Sequence, residues 1–216
     1  MKNIELSRVV GVSSAQKSTA LMSNTVRGWL EAREPRQFME AYNPAVGARV
    51  MMLGQTCGQM ALRDDVPTLA AVASVYDEAT AVAWLMIQID SVDVAQGARA
   101  FDDLQRKDSA RLILAKYADM NVGEFLMFFG RYKLGEFHEQ TEHVGGLQKL
   151  MLALRLYRIQ RDADIRRIER EEHNLAAARE REEWARKAIS YEQYLIEKEK
   201  EKENDANRCS EDCSRT

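Results

Sequence analysis

The sequence predicts an all-α protein, a multi-helix globular body followed by a long charged C-terminal helix. Three observations lead there. Only 3 prolines and 11 glycines punctuate the 216 residues, whereas sandwiches and barrels need a turn signal about every 8–12 residues. Apolar residues recur at spacings of three and four along much of the chain, the period of one helix face. From Leu147 to Lys202 there is neither proline nor glycine, a stretch about 80 Å long at a helical rise of roughly 1.5 Å per residue.

The elements follow in order. Residues 1–14 read as a flexible lead-in. From Ala15 to Arg33, Leu21, Met22, Val26, Trp29 and Leu30 form one apolar stripe, and Glu34-Pro35 ends that helix because the residue before proline is pushed out of the α region. A short segment spans Phe38 to Tyr42. Pro44 suits the first turn of a helix running to Leu62, with Val46, Val50, Leu53 and Cys57 inward. Gly54 and Gly58 within it mark either close packing or a weak helix. Asp64-Asp65-Val66-Pro67 is the clearest boundary, its acids suited to the start of a helix carrying Leu69, Val72, Ala73 and Tyr76. Val82, Leu85, Met86 and Ile89 predict a nearly all-apolar helix at the centre of the core. A break is expected at Asp90-Ser91, then a polar segment to Gln105 with Val94, Ala98 and Phe101. Leu112, Ile113, Lys116 and Tyr117 carry the next helix to Ala118.

Asn121-Val122-Gly123-Glu124 reads as a capping box. It opens a helix from Val122 to Lys133 that buries its Phe125/Phe129/Tyr132 side, and Gly135 is placed to cap its end. The body is therefore expected over residues 15–145, with 66–145 its most distinctive part. The long helix occupies 147–202 and a frayed polar tail 203–216.

A coiled coil is only half supported. One heptad position reads Leu154, Arg161, Ile168, Leu175, Glu182, Ile189 and Ile196, which is mostly apolar. Its companion reads Tyr157, Asp164, Glu171, Ala178, Ala185 and Glu192, which is not, and a stable two-stranded seam needs both. Pairs such as Asp162/Arg166, Glu182/Arg186 and Glu183/Lys187 each add about 0.2–0.5 kcal/mol. The expectation is a charged helix that serves weak homo-oligomerisation or a partner, and a cut near Arg161 that leaves the body folded.

Charge and cysteine content narrow the function classes. The 31 Lys+Arg and 34 Asp+Glu leave a net charge of -3, which excludes nucleic-acid binding by bulk positive charge but permits a local patch. The start has no continuous apolar region of the kind a secretory signal needs. The most apolar stretch, Ala79 to Ile89, is about half the length that crosses a bilayer, so no membrane partner is expected. Three cysteines suit a reducing cytoplasm.

No motif points to catalysis, a cofactor or a metal. His138-Glu-Gln-Thr-Glu-His143 looks like a zinc-protease signature, but its histidines are five apart, not four, and so do not share a helix face. Gly145-Gly146 lacks the lysine and hydroxyl residue of a phosphate loop. The segment Phe125–Phe137 is the most distinctive, interleaving aromatics with Arg131 and Lys133. Its rings are either a core stripe or, where exposed, a platform for single-stranded nucleic acid or a partner helix. On the second reading the binding residues are Phe128, Arg131, Lys133 and Phe137.

Leu69-x-x-Val72-x-x-x-Tyr76, Trp84-Leu85, Ile113-Leu-x-x-Tyr117 and Val122–Phe137 together resemble an uncharacterised family of helical proteins from phages and mobile elements of Bacteroidetes. The resemblance covers residues 66–162 and departs from the family pattern at Gly135–Gly146, where this chain is acidic. The element order is also similar to that of phage helicase loaders. The resemblance implies a non-enzymatic accessory of phage or mobile-element DNA replication, an adaptor to a replicative helicase or to DNA. The alternative is a phage structural or assembly protein acting through its long helix.

Overall fold

The computed structural model describes residues 23–96, 101–187 and 191–213, and among these lie eleven helices and no strand. The chain divides into two compact units, one ending at Ile168 and one running from Glu169 to the C-terminus.

The first unit begins with α1 (Asn24–Glu31), where Ser23 Oγ accepts a hydrogen bond from the Thr25 N–H. Residues 15–22 of the expected first helix lie outside the described residues. Pro35 ends that helix by opening the next, α2 (Pro35–Ala41), at whose first position its missing N–H costs nothing. The single helix expected from Pro44 to Leu62 is two, α3 (Val46–Met52) and α4 (Cys57–Ala61). Gly54 separates them at φ 63, a conformation that favours glycine, and Leu53, expected inward, is exposed.

The acidic pair before Pro67 does not cap the next helix. Thr68 does, accepting from the Ala71 N–H at the start of α5 (Leu69–Val75), while Asp65 binds Arg63. The break expected at Asp90-Ser91 is absent, and α6 runs from Glu78 to Gln96. Ser91 donates its hydroxyl back to the Gln88 carbonyl at 2.6 Å, so its polar group is satisfied without leaving the helix. Past that point Val92 and Asp93 are buried and Val94 faces solvent. Asp102 and Gln105 form a capping box for α7 (Asp103–Tyr117). The predicted α8 (Val122–Lys133) has the expected bounds, and Gly135 follows its end at φ 80. A short α9 (His138–Thr141) lies in the loop before α10 (Gly146–Lys187).

α8 sits at the centre, packed on α3, α4 and α6. Nine of its twelve residues are buried, so it is a core helix on every side and not an amphipathic one. A string of rings crosses the core through it. Phe38 of α2 meets Trp84 of α6 at 6.1 Å, Trp84 meets Phe125 at 6.2 Å, and Phe128 meets Phe129 at 5.1 Å and Tyr157 of α10 at 5.7 Å. The Trp84 indole N–H donates to the Tyr42 carbonyl at 2.8 Å, which satisfies a polar group that burial would otherwise penalise.

The starts of α5 and α8 are stitched side by side. The Leu69 N–H donates to the Met120 carbonyl at 3.0 Å and the Val122 N–H to the Pro67 carbonyl at 2.9 Å. Asn121 is the hub of this junction. Its Oδ1 accepts from the Glu124 N–H at 2.9 Å, its N–H donates to Glu124 Oε2 at 3.0 Å, and its Nδ2 donates to the Met60 carbonyl at 2.8 Å. The other Glu124 oxygen accepts from Arg161 Nε on α10.

The first unit therefore extends past residue 145, the boundary expected from the sequence, because the start of α10 is core. Leu150, Ala153, Leu154 and Tyr157 are buried. A cut near Arg161 would remove the partner of a buried carboxylate, so the physical end of the body falls at Ile168 instead. Gly58 makes the approach possible. A Cβ placed there would lie 2.7 Å from Asp164 Cβ and 2.8 Å from the Ile165 backbone nitrogen.

In the second unit the remainder of α10 is followed by α11 (Tyr191–Cys213), which runs through the segment expected to fray after residue 202. Trp184 and Tyr191 are each 75% exposed, and Leu175, Tyr194, Leu195 and Ile196 are exposed as well. Arg186 donates to the Glu182 carbonyl and not to its carboxylate, and Lys198 binds the Tyr194 hydroxyl.

Two glycines should respond in opposite directions to alanine. Gly58→Ala overpacks against backbone and is expected to cost about 1–3 kcal/mol in denaturant unfolding. Gly28→Ala, inside α1 with nothing within 4 Å of the new methyl, is expected to stabilise by about 0.5–1 kcal/mol.

A pH effect follows from Glu124. Burial raises its carboxyl above the ordinary 4.5, against the opposing pull of Arg161 and Asn121. A carboxyl raised in the folded state holds its proton more tightly there than in the unfolded chain. Its contribution to stability therefore grows as pH falls through the raised value towards the ordinary one. The melting temperature of the native chain relative to Glu124→Gln should rise across that acidic window. An advantage that shrinks on acidification would show that the ion pair outweighs desolvation.

Candidate functional site

Side chains of α4, α8 and α10 converge on one polar cavity of about 340 Å³ within the first unit. Cys57 begins α4, where Thr56 and Gln59 form a capping box that sets the chain's entry. Arg131 lies in the last turn of α8 and turns inward, its Nη1 donating to Cys57 Sγ at 2.7 Å and its Nε to Glu136. Glu136 is brought round by the turn at Gly135, whose N–H donates to the Tyr132 carbonyl. Gln160 and Asp164 line the cavity from α10. They share a helix face with Tyr157, since residues three, four and seven apart point the same way.

The electrostatics are those of a half-enclosed polar site. Burial pushes the Cys57 thiol up, and Arg131 opposes this without overcoming it, so the group is a protonated thiol near neutral pH. The Tyr157 hydroxyl is held well above its usual value, chiefly by burial. It faces the Cys57 thiol, which adds to the upward shift. The Arg131 guanidinium lies 5.6 Å from the Phe137 ring centre and 5.9 Å from that of Tyr157.

The four residues expected to form a binding platform are placed differently from one another. Phe128 is fully buried and Phe137 nearly so, packed together at 5.8 Å. These rings form the core stripe and present no stacking face to solvent. The reason is that every side of α8 meets another element, which leaves no edge on which a ring could be displayed. Arg131 belongs to the cavity wall. Lys133 is half-buried, and desolvation lowers its ammonium below the usual value. Arg131 and Phe137 are brought into contact; Lys133 is not part of that cluster.

Sequence reasoning missed Cys57, Gln55, Tyr157 and Asp164. A signal existed for the last two. They occupy the heptad position that failed as a coiled-coil seam, and that failure marks the face of α10 turned to the body. Among the described residues no group of three or more His, Cys, Asp or Glu is placed to hold a metal ion. Among the same residues no helix is long and apolar enough to cross a membrane.

Compared with protein-family models, residues 103–206 match a family of unknown function, DUF6633. The match holds α7 to α10, and with them Asn121, Glu124, Arg131, Tyr157 and Asp164, but not Cys57 or Gly58. None of the curated proteins and none of the solved structures matches the chain. An all-helical protein whose second half is similar to that family is what fold and comparison define together.

Cys57 gives a direct check on the site. In a chain carrying Cys209→Ser and Cys213→Ser, Cys57 should react with iodoacetamide at least tenfold more slowly in native buffer than in urea. Equal rates would mean that the thiol is neither buried nor held by Arg131.

Proposed function

We propose that this protein is a non-enzymatic adaptor that binds a protein partner through its second unit. The observation that carries this is the exposure of Trp184, Tyr191, Tyr194, Leu195 and Ile196 on helices rich in charged residues. Scattered apolar side chains are ordinary on a surface, but a Trp and two Tyr within so short a span are the residue types that dominate binding energy at interfaces. A helix presenting such anchors suits a groove on a partner. The first unit supports the reading by contrast, because its aromatic residues are spent on its own core. A nucleic-acid platform has less support, with Phe128 and Phe137 enclosed and Lys133 half-buried.

The partner class rests on the resemblance to helical proteins of phages and mobile elements, which favours a replication accessory and a replicative helicase as the bound protein. A second reading is an assembly protein, favoured by the 42 residues of α10. The test is a calorimetric titration of the full chain with the replicative helicase of the same genome. Saturable binding is expected, weakened about thirtyfold by Trp184→Ala, the scale of an interface hot spot worth ~2 kcal/mol. Binding to a virion protein and not to the helicase would transfer the function to assembly.

A further inference from the structure

Tyr191, Tyr194, Leu195, Lys198 and Lys202 stand at i, i+3, i+4, i+7 and i+11 along α11. That spacing places them on one stripe of the helix, and all five are exposed. From Glu197 to Lys202 acid and base alternate strictly, and a helix of 3.6 residues per turn sorts that alternation by side. Lys198 and Lys202 fall on the stripe and Lys200 on the opposite side. Glu199 and Glu201 border the stripe, about 80° away on either hand. The stripe is therefore aromatic and aliphatic at its N-terminal end and cationic at its C-terminal end.

The join between the two ends is fixed. The Lys198 ammonium donates to the Tyr194 hydroxyl at 3.0 Å and stands 5.2 Å from that ring's centre. A surface that covers Tyr194 and Leu195 must therefore cover Lys198 as well, one turn further on. Covering a cation is costly unless an opposite charge meets it, so the covering surface needs carboxylates at that end.

Other occupants meet this requirement poorly. An anionic lipid surface attracts lysines, but here it would also press against the bordering Glu199 and Glu201. A second copy of the chain offers stripe lysines or tyrosines to Lys198, and no carboxylate from the stripe itself.

On the adaptor reading, on which this inference rests, we propose that the stripe docks in a groove of the partner protein with two unlike ends. One end has an apolar floor for Tyr191, Tyr194 and Leu195. The other carries carboxylates for Lys198 and Lys202. The unlike ends fix the direction in which α11 lies, since charge complementarity sets register and specificity at an interface.

The test is a calorimetric titration of the full chain with the replicative helicase of the same genome, at low and at raised salt. Lys198→Glu combined with Lys202→Glu is expected to weaken binding tenfold or more and to flatten its salt dependence. Lys200→Glu, the same change of charge on the opposite side, should alter it less than twofold. Circular dichroism checks that the variants are helical, and the two single swaps, each expected to act in the same direction, keep the result readable if the double variant is not. Native binding that the stripe swaps leave unchanged, or that they weaken no more than Lys200→Glu does, overturns this inference and leaves the adaptor reading standing. No binding by the native chain overturns the adaptor reading, and this inference with it. Co-sedimentation with vesicles of phosphatidylcholine and phosphatidylglycerol that the stripe swaps abolish would give the stripe to a lipid surface. A dimer of the free chain in sedimentation equilibrium that Tyr194→Ala dissolves would give it to a second copy. Either result overturns the proposal.

Discussion

The Glu124 carboxylate, buried at the start of α8 and held by both Asn121 and Arg161, is the interaction on which the body depends. It closes the capping box that begins the central helix, and through Arg161 it fixes α10 against that helix. Asn121 carries the same junction to α4 through the Met60 carbonyl. One carboxylate and one amide thus tie three elements distant in sequence. A buried ion pair of this kind is not in itself strongly stabilising, because desolvation offsets much of the attraction. Its value is in register: removing either partner leaves the other charged or polar group stranded, so only one placement of α10 satisfies both.

That placement decides which side chains are enclosed and which line the cavity. With α10 seated, α8 is enclosed on all sides and its rings become a core string running from Phe38 to Tyr157. The same seating turns Gln160 and Asp164 towards α4 and leaves room between them and Arg131. A small Gly58 allows the backbones of α4 and α10 to approach beside this region. The enclosed aromatic helix and the neighbouring polar cavity are two consequences of one packing decision. Aromatic side chains available to a protein partner are then those of the second unit, where no described side chain is buried.

Much of the local structure was legible. The bounds of α8, its capping box and the end of the first helix before Pro35 follow from hydrogen-bonding needs and proline sterics that operate within a few residues. Other elements were misread where a local signal was outweighed. Asp90-Ser91 looks like a helix end, but Ser91 satisfies itself on the Gln88 carbonyl and the helix continues. Gly54 interrupts what apolar spacing presented as one helix, because the chain needs a positive φ there that spacing does not report. Asp64 and Asp65 suggest a cap, yet Thr68 lies at the position from which a side-chain oxygen reaches the free N–H groups.

The sequence by itself determined that this protein is all-helical, where its central helix begins and ends, and that no familiar catalytic or metal motif is present. These rest on short-range physics: turn residues, helical period, capping and the fixed geometry of ligand motifs. Only the tertiary structure decided which face of the long helix is body, whether the Phe125–Phe137 rings are displayed or enclosed, and that Cys57 meets Arg131. Periodicity states that a face is apolar or mixed but not what lies against it. Tyr157 and Asp164 read as a failed seam in one dimension, and become a core ring and a cavity wall once a helix from the other end of the sequence packs beside them.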